Sequence, residues 1–146
     1  GSQTHSDLVV RPWLEDEMVI VAAPGHPLAN RCATPRQLAE ATWVLREYGS
    51  GTRQIADAWL LKNLGQVRVG FELGSTEAIK RVVAASDGLG CLSRHAVTQS
   101  VEDGHLVELQ TRLPKANRKL AIVLHREKRL GRATTEFLAH CSAAAP

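Results

Sequence analysis

The 146-residue chain has no apolar run that approaches the roughly 20 residues of a membrane-spanning helix; its longest, residues 18–23 and 120–124, fall far short. A secretion signal is missing too, because residues 1–7 are polar and no basic-then-apolar segment follows. Gly1-Ser2 reads as the scar of a cleaved tag, and residues 1–7 as a disordered lead. Cysteine is scarce: Cys32, Cys91 and Cys141 are odd in number, widely spaced and form no C-x-x-C pair. That pattern argues against a disulfide framework and against a zinc site, and it fits a reduced, cytoplasmic setting. Charge of one sign is also in short supply. Eighteen basic against fifteen acidic residues leave +3, and the basic residues are scattered. The clustered basic face that direct nucleic-acid binding requires is therefore not expected in this segment.

The signatures of catalysis are missing as well. There is no G-x-x-x-x-G-K-[ST] loop, and Gly49-Ser50-Gly51 continues into Thr52-Arg53-Gln54 rather than to the third glycine of a dinucleotide fingerprint. His26, His95, His105, His125 and His140 show neither i, i+4 pairing nor H-E-x-x-H spacing, so each reads as a surface or loop histidine. Ser93 lacks the G-x-S-x-G elbow of a hydrolase nucleophile, and Cys91 sits in an apolar stretch that reads as buried and inert. Glu15-Asp16-Glu17 reads as a solvated turn before a strand. The expectation is a protein that is not an enzyme, with no cofactor, no metal and no membrane partner.

What is present is the composition of one globular domain, 44% hydrophobic and 23% charged. Its periodicity alternates between short strands and helices. Strands are expected over residues 18–23, 43–46, 67–73, 88–92, 105–109 and 119–125. Helices are expected after Thr34-Pro35-Arg36-Gln37, which carries a capping box with proline at the first helical position, and over residues 53–64, from Thr76, over 94–100 with Ser93 as cap, and over 132–141. Residues 67–73 alternate strictly, which predicts one buried and one polar face. The repeating order implies an α/β fold around an open mixed or parallel sheet.

Two strand-to-helix turns carry equipment for a ligand. Tyr48-Gly49-Ser50-Gly51-Thr52-Arg53 combines glycines, two hydroxyls, an arginine and the free N–H groups of a helix start, which favour negative charge. Leu73-Gly74-Ser75-Thr76-Glu77 repeats the logic with an acidic first turn. In open α/β sheets, ligands gather at the carboxyl ends of strands, where both turns fall. The bland alternative stays open: Ser50, Thr52 and Ser75 as helix caps, and Arg53 as a solvated helix charge.

Four segments resemble one family in order and spacing. They are Asp16 to Val21 continuing through Gly25-His26-Pro27-Leu28-Ala29; Trp43 through Arg53; Glu72 to Lys80 with Gly88-Leu89-Gly90-Cys91-Leu92-Ser93-Arg94; and Leu120 to Arg126 with Ala133 to Leu138. Together they are similar to the effector-binding domain of LysR-type transcriptional regulators. The resemblance implies a type II periplasmic-binding-protein-like fold, an open mixed sheet flanked by helices, with a small anionic effector (a carboxylate or an oxyanion) in a cleft. It implies effector-binding roles for Ser50, Gly51 and Thr52, and for Ser75 and Thr76 at the border of the same cleft; Arg53 joins these candidates from the chemistry of its turn. Residues 8–146 would be a partial effector domain, with 14–112 the second subdomain and 118–146 a returning strand and C-terminal helix. DNA binding would belong to an N-terminal helix-turn-helix outside this chain, and a homo-oligomer is expected. The family pattern has glycine where Ser86 stands, which questions the cap geometry there. A transporter's solute-binding protein of the same fold is the alternative reading.

Overall fold

The computed structural model describes the backbone of residues 8–125, with the isolated Ala139, and the side chains of residues 15–117. The helix expected over 132–141 lies outside the described residues. Twelve elements are described: β1 (Leu8–Ala22), β2 (Cys32–Ala33), α1 (Pro35–Glu40), β3 (Thr42–Arg46), α2 (Gly51–Leu64), β4 (Arg68–Leu73), α3 (Thr76–Ala84), β5 (Leu89–Ser93), α4 (Arg94–Glu102), β6 (Val107–Glu108), β7 (Gln110–Thr111) and β8 (Ala116–His125). The chain divides into two units, Glu17–Asn117 and the pair of segments Gly1–Asp16 and Arg118–Pro146. In the latter, β8 pairs with β1.

Within Glu17–Asn117 the strands lie in the order β4-β3-β5-β1-β6. β3 is parallel to both β4 and β5, whereas β1 runs antiparallel to β5 and β6. The pleat sorts β1 by parity. Met18, Ile20 and Ala22 join Trp43, Leu45, Leu89, Ala56 and Leu60 in one apolar cluster, while Val19 and Val21 join Val44, Leu92, Ile79, Val83 and Val97 in another. The first cluster takes α1 and α2, the second α3 and α4, so the sheet is an open mixed one with helices on both faces. The connection β3-α2-β4 steps outward to the sheet edge on one face. The connection β4-α3-β5 then returns past β3 on the other.

Local signals explain most boundaries. Thr34 and Gln37 form the reciprocal capping box, and Gly65 ends α2 at φ +78°. α3 ends without a left-handed residue. Its cap is chemical: Ser86 Oγ donates to Val82 O at 2.6 Å and accepts from Gly88 N at 3.2 Å.

Three expectations are corrected. Residues 68–73 bury neither face, because β4 is the outermost strand and leaves Val69 and Phe71 exposed, the latter at 54%. Ser93 precedes α4 but makes no side-chain cap bond. Glu15-Asp16-Glu17 is no turn: all three lie inside β1, Asp16 is buried, and Glu17 binds Arg94. Sequence reading also missed the short parallel pair β2 and β7.

Candidate functional site

The parallel strands β3 and β4 finish together, with Arg46 opposite Leu73. Glu47 N donates to Leu73 O at 3.0 Å, which ties the first turn to the second. Both turns expected to carry ligand chemistry are thus side by side on the carboxyl edge of the sheet. Gly49 sits at φ +93°, a backbone that a side chain would strain, and there the chain reverses into α2.

Each turn ends in a serine N-cap. Ser50 Oγ accepts from Arg53 N at 2.9 Å, and Ser75 Oγ accepts from Ala78 N at 3.0 Å. These are caps, as the bland reading had it, yet a hydroxyl that accepts inward keeps its own proton to donate outward. Caps satisfy only part of a helix start. The amides of Gly51 and Thr52, and those of Thr76 and Glu77, have no acceptor among the described residues. Gly51 and Ser75 are exposed, and Ser50, Thr52 and Thr76 are half-buried. Two helix N-termini therefore open onto one edge, each with the partial positive charge of its aligned peptides.

Arg53 is placed differently from its neighbours. It is 4% exposed and turned inward. Its Nε donates to Asp57 at 2.8 Å, and its Nη1 donates to Glu72 at 2.9 Å and to Arg46 O at 2.8 Å. The guanidinium also lies 4.6 Å from the centre of the exposed Tyr48 ring. Burial alone would lower its pKa, but its hydrogen bonds to the carboxylates of Asp57 and Glu72 and their charge outweigh that and hold it above the ordinary value. This side chain fastens the root of α2 to β3 and β4.

The cation at the mouth of the turns is Arg46, which the motif reading passed over. Its Nε and Nη2 reach both oxygens of Glu47 at 3.1 Å, and its Nη1 donates to Thr76 Oγ1 at 3.2 Å. One guanidinium thereby spans both turns. The hydrogen-bonded pair raises the pKa of Arg46 and lowers that of Glu47. The fork uses three of its five N–H groups on these partners, leaving two on its outer edge. The available signal was a basic-acidic dipeptide at a strand end, which spacing alone does not distinguish from surface charge.

Among the described residues no cluster of His, Cys, Asp or Glu could hold a metal ion, and no helix is long and apolar enough to cross a membrane. Cys91 is buried, and desolvation pushes its thiol pKa up to about 12, so it stays protonated at neutral pH.

Known proteins match this chain throughout. A family model described as the LysR substrate binding domain matches residues 1–146. An HTH-type transcriptional regulator of Escherichia coli K12, YeiE, is 44% identical over 144 residues, covering 99% of this chain and 49% of its own length. The RuBisCO operon transcriptional regulator of Allochromatium vinosum is 34% identical over 86% of this chain and 42% of its own length. The chain thus spans about half the length of these relatives. Among solved structures, the Synechocystis PCC6803 CcmR regulatory domain in complex with 2-PG superposes with a TM-score of 0.82 at 30% identity, covering 99% of this chain and 71% of that one. The effector-binding domain of QuiR in complex with shikimate shares the fold, with a TM-score of 0.78 at 19% identity over 98% of this chain and 68% of that one.

Proposed function

The chain belongs to the LysR substrate-binding-domain family, with its type II periplasmic-binding-protein-like fold, and from that premise we propose that it senses a small anionic effector for a DNA-binding transcriptional regulator. The observation that carries this reading is the convergence of two open helix N-termini on one sheet edge, spanned by Arg46. Backbone amides and hydroxyls of Ser50, Gly51, Thr52, Ser75 and Thr76 would meet an oxyanion or carboxylate, as helix N-termini do for anions elsewhere. That neighbouring regulatory domains are in complex with 2-PG and shikimate supports a small polar ligand. Arg53 enters the proposal as a positioning residue, because its donors are spent on Asp57, Glu72 and Arg46 O.

The proposal includes the rest of the family's working parts. DNA contact is assigned to a helix-turn-helix in the remaining half of the parent protein, and the setting is the cytoplasm. The chain acts as a sensor rather than a catalyst. Residues 14–112 are assigned to the second subdomain. Self-association is assigned to β4, the edge strand among the described residues, where Val69 and Phe71 are exposed.

Calorimetric titration with sulfate, phosphate and short mono- and dicarboxylates tests the effector site. Ser50→Ala combined with Thr52→Ala is expected to weaken the best-bound anion at least tenfold, while stability falls by about 1 kcal/mol for the lost cap. Unaltered affinity in that double variant would move the site elsewhere.

A further inference from the structure

The unit Glu17–Asn117 contains a cavity of about 380 Å³, open on one side, that none of the residues of the two turns lines. Its apolar wall is Met18, Ile20, Trp59, Leu109, Leu113 and Pro114. Met18, Ile20 and Leu109 are core residues, so this wall is fixed. Trp59 is fixed too, because its Nε1 donates to Pro114 O at 2.9 Å across 55 residues of sequence. A volume of this size, with one rigid aromatic face, is within the range of small-molecule sites.

The lining also carries charge. Arg94 lies between two carboxylates, with Nη1 2.5 Å from Glu17 Oε2 and Nη2 2.6 Å from Glu108 Oε1. Lys115 approaches Glu17 only to 3.9 Å, and its side chain is 78% exposed. Glu108 is the informative group. Its Oε1 takes Arg94, whereas its Oε2 receives no hydrogen bond among the described residues, although the side chain is only 30% exposed. A carboxylate oxygen without a protein donor, on a side chain beside an apolar wall, favours a charged donor. An anion would instead face two carboxylates, with a solvated lysine as its nearest loosely held cation.

We propose that this cavity is a second ligand site, for a small organic cation: an amine on an aromatic or branched aliphatic body. The ammonium group hydrogen-bonds Glu108, and the body lies against Trp59 and Leu113. The site is independent of the anion site at the strand ends and differs from it in ligand charge.

The test is titration of the ¹⁵N-labelled chain with 2-phenylethylamine, 3-phenylpropanoate and 2-phenylethanol, following the Trp59 indole N–H, assigned through Trp59→Phe. The amine is expected to shift that signal saturably, and the carboxylate and alcohol to bind at least tenfold more weakly. Glu108→Gln should weaken the amine roughly tenfold or more, with a thermal midpoint close to the parent's because Arg94 keeps Glu17. Leu113→Trp, which fills the cavity, should abolish the shift, and Ser50→Ala with Thr52→Ala should leave it intact. Absence of a saturable shift, equal binding of the carboxylate, or indifference to Glu108→Gln would each overturn the proposal. So would an amine response lost in the Ser50 and Thr52 variants.

Discussion

Replacing Arg53 by methionine separates a structural guanidinium from a ligand-binding one. Methionine keeps much of the stem's packing and removes every donor. Arg46 O then loses the N–H that reaches it at 2.8 Å in a partly buried setting, and a carbonyl left there without a partner costs about 1–3 kcal/mol. Asp57 and Glu72 lose their cation too, but their side chains are 40% and 46% exposed. Water takes over there, and each pair is worth about 0–1 kcal/mol. Loss of the contact with the exposed Tyr48 ring adds roughly 0.5–1 kcal/mol. Together these give an expected destabilisation of about 1.5–6 kcal/mol, a fall in thermal midpoint on the order of 5–20 °C for a chain of this size. Arg53→Lys should recover only part of it, because one ammonium cannot reach Asp57, Glu72 and Arg46 O together. Thermal denaturation by circular dichroism measures the midpoint, and calorimetry on the folded fraction measures anion affinity. A methionine variant that melts within a degree of the parent and yet binds no anion would refute the assignment and make Arg53 a direct ligand.

Gly88→Ala should cost about 1–3 kcal/mol in urea denaturation, because the new methyl would stand 2.7 Å from Val44 Cγ2 and Val44 is wholly buried. Iodoacetamide at pH 8 should label the exposed Cys32 and spare Cys91, as read by peptide mass mapping of the native chain. The sign of the Cys91 effect on stability follows from its direction of shift. With the folded thiol near 12 and the ordinary value at 9.0, the folded state retains a proton that the unfolded chain gives up, so stability falls as pH rises above about 9. Glu47 shifts the other way: held down by Arg46, its carboxyl should titrate below 4.5 in a ¹³C NMR series, and the stability of its turn, present above the ordinary value, should be lost as pH falls through the lowered one. Phe71→Lys should abolish concentration-dependent self-association in sedimentation, and association unchanged in that variant would remove β4 as the interface.

How much of this was legible in the sequence depends on the range of the interaction that decides each feature. The capping box at Thr34 and Gln37 and the helix over residues 53–64 are decided at short range, and composition and spacing reveal them. The alternation of residues 67–73 was equally plain, but it predicts a buried face only if something covers the strand. β4 is the last strand of its sheet, and strand order is set by crossovers that no local pattern records. Arg53 shows the same limit at a single residue. Its spacing from Ser50 and Gly51 advertised a ligand cation, whereas its role is decided by Glu72, nineteen residues away, and by the carbonyl of Arg46 on a neighbouring strand. The buried guanidinium with three acceptors is the costlier one to turn toward a ligand, since it would leave Arg46 O without its donor and expose a side chain that is 4% exposed. Arg46, by contrast, is paired at the surface with the next residue in sequence and with a threonine hydroxyl. Those partners are readily exchanged for a ligand's oxygens, because water can replace what each one loses. Burial therefore sorts the two arginines of the turn: the inner one holds the helix, and the outer one is the cation that the proposed anion site would use.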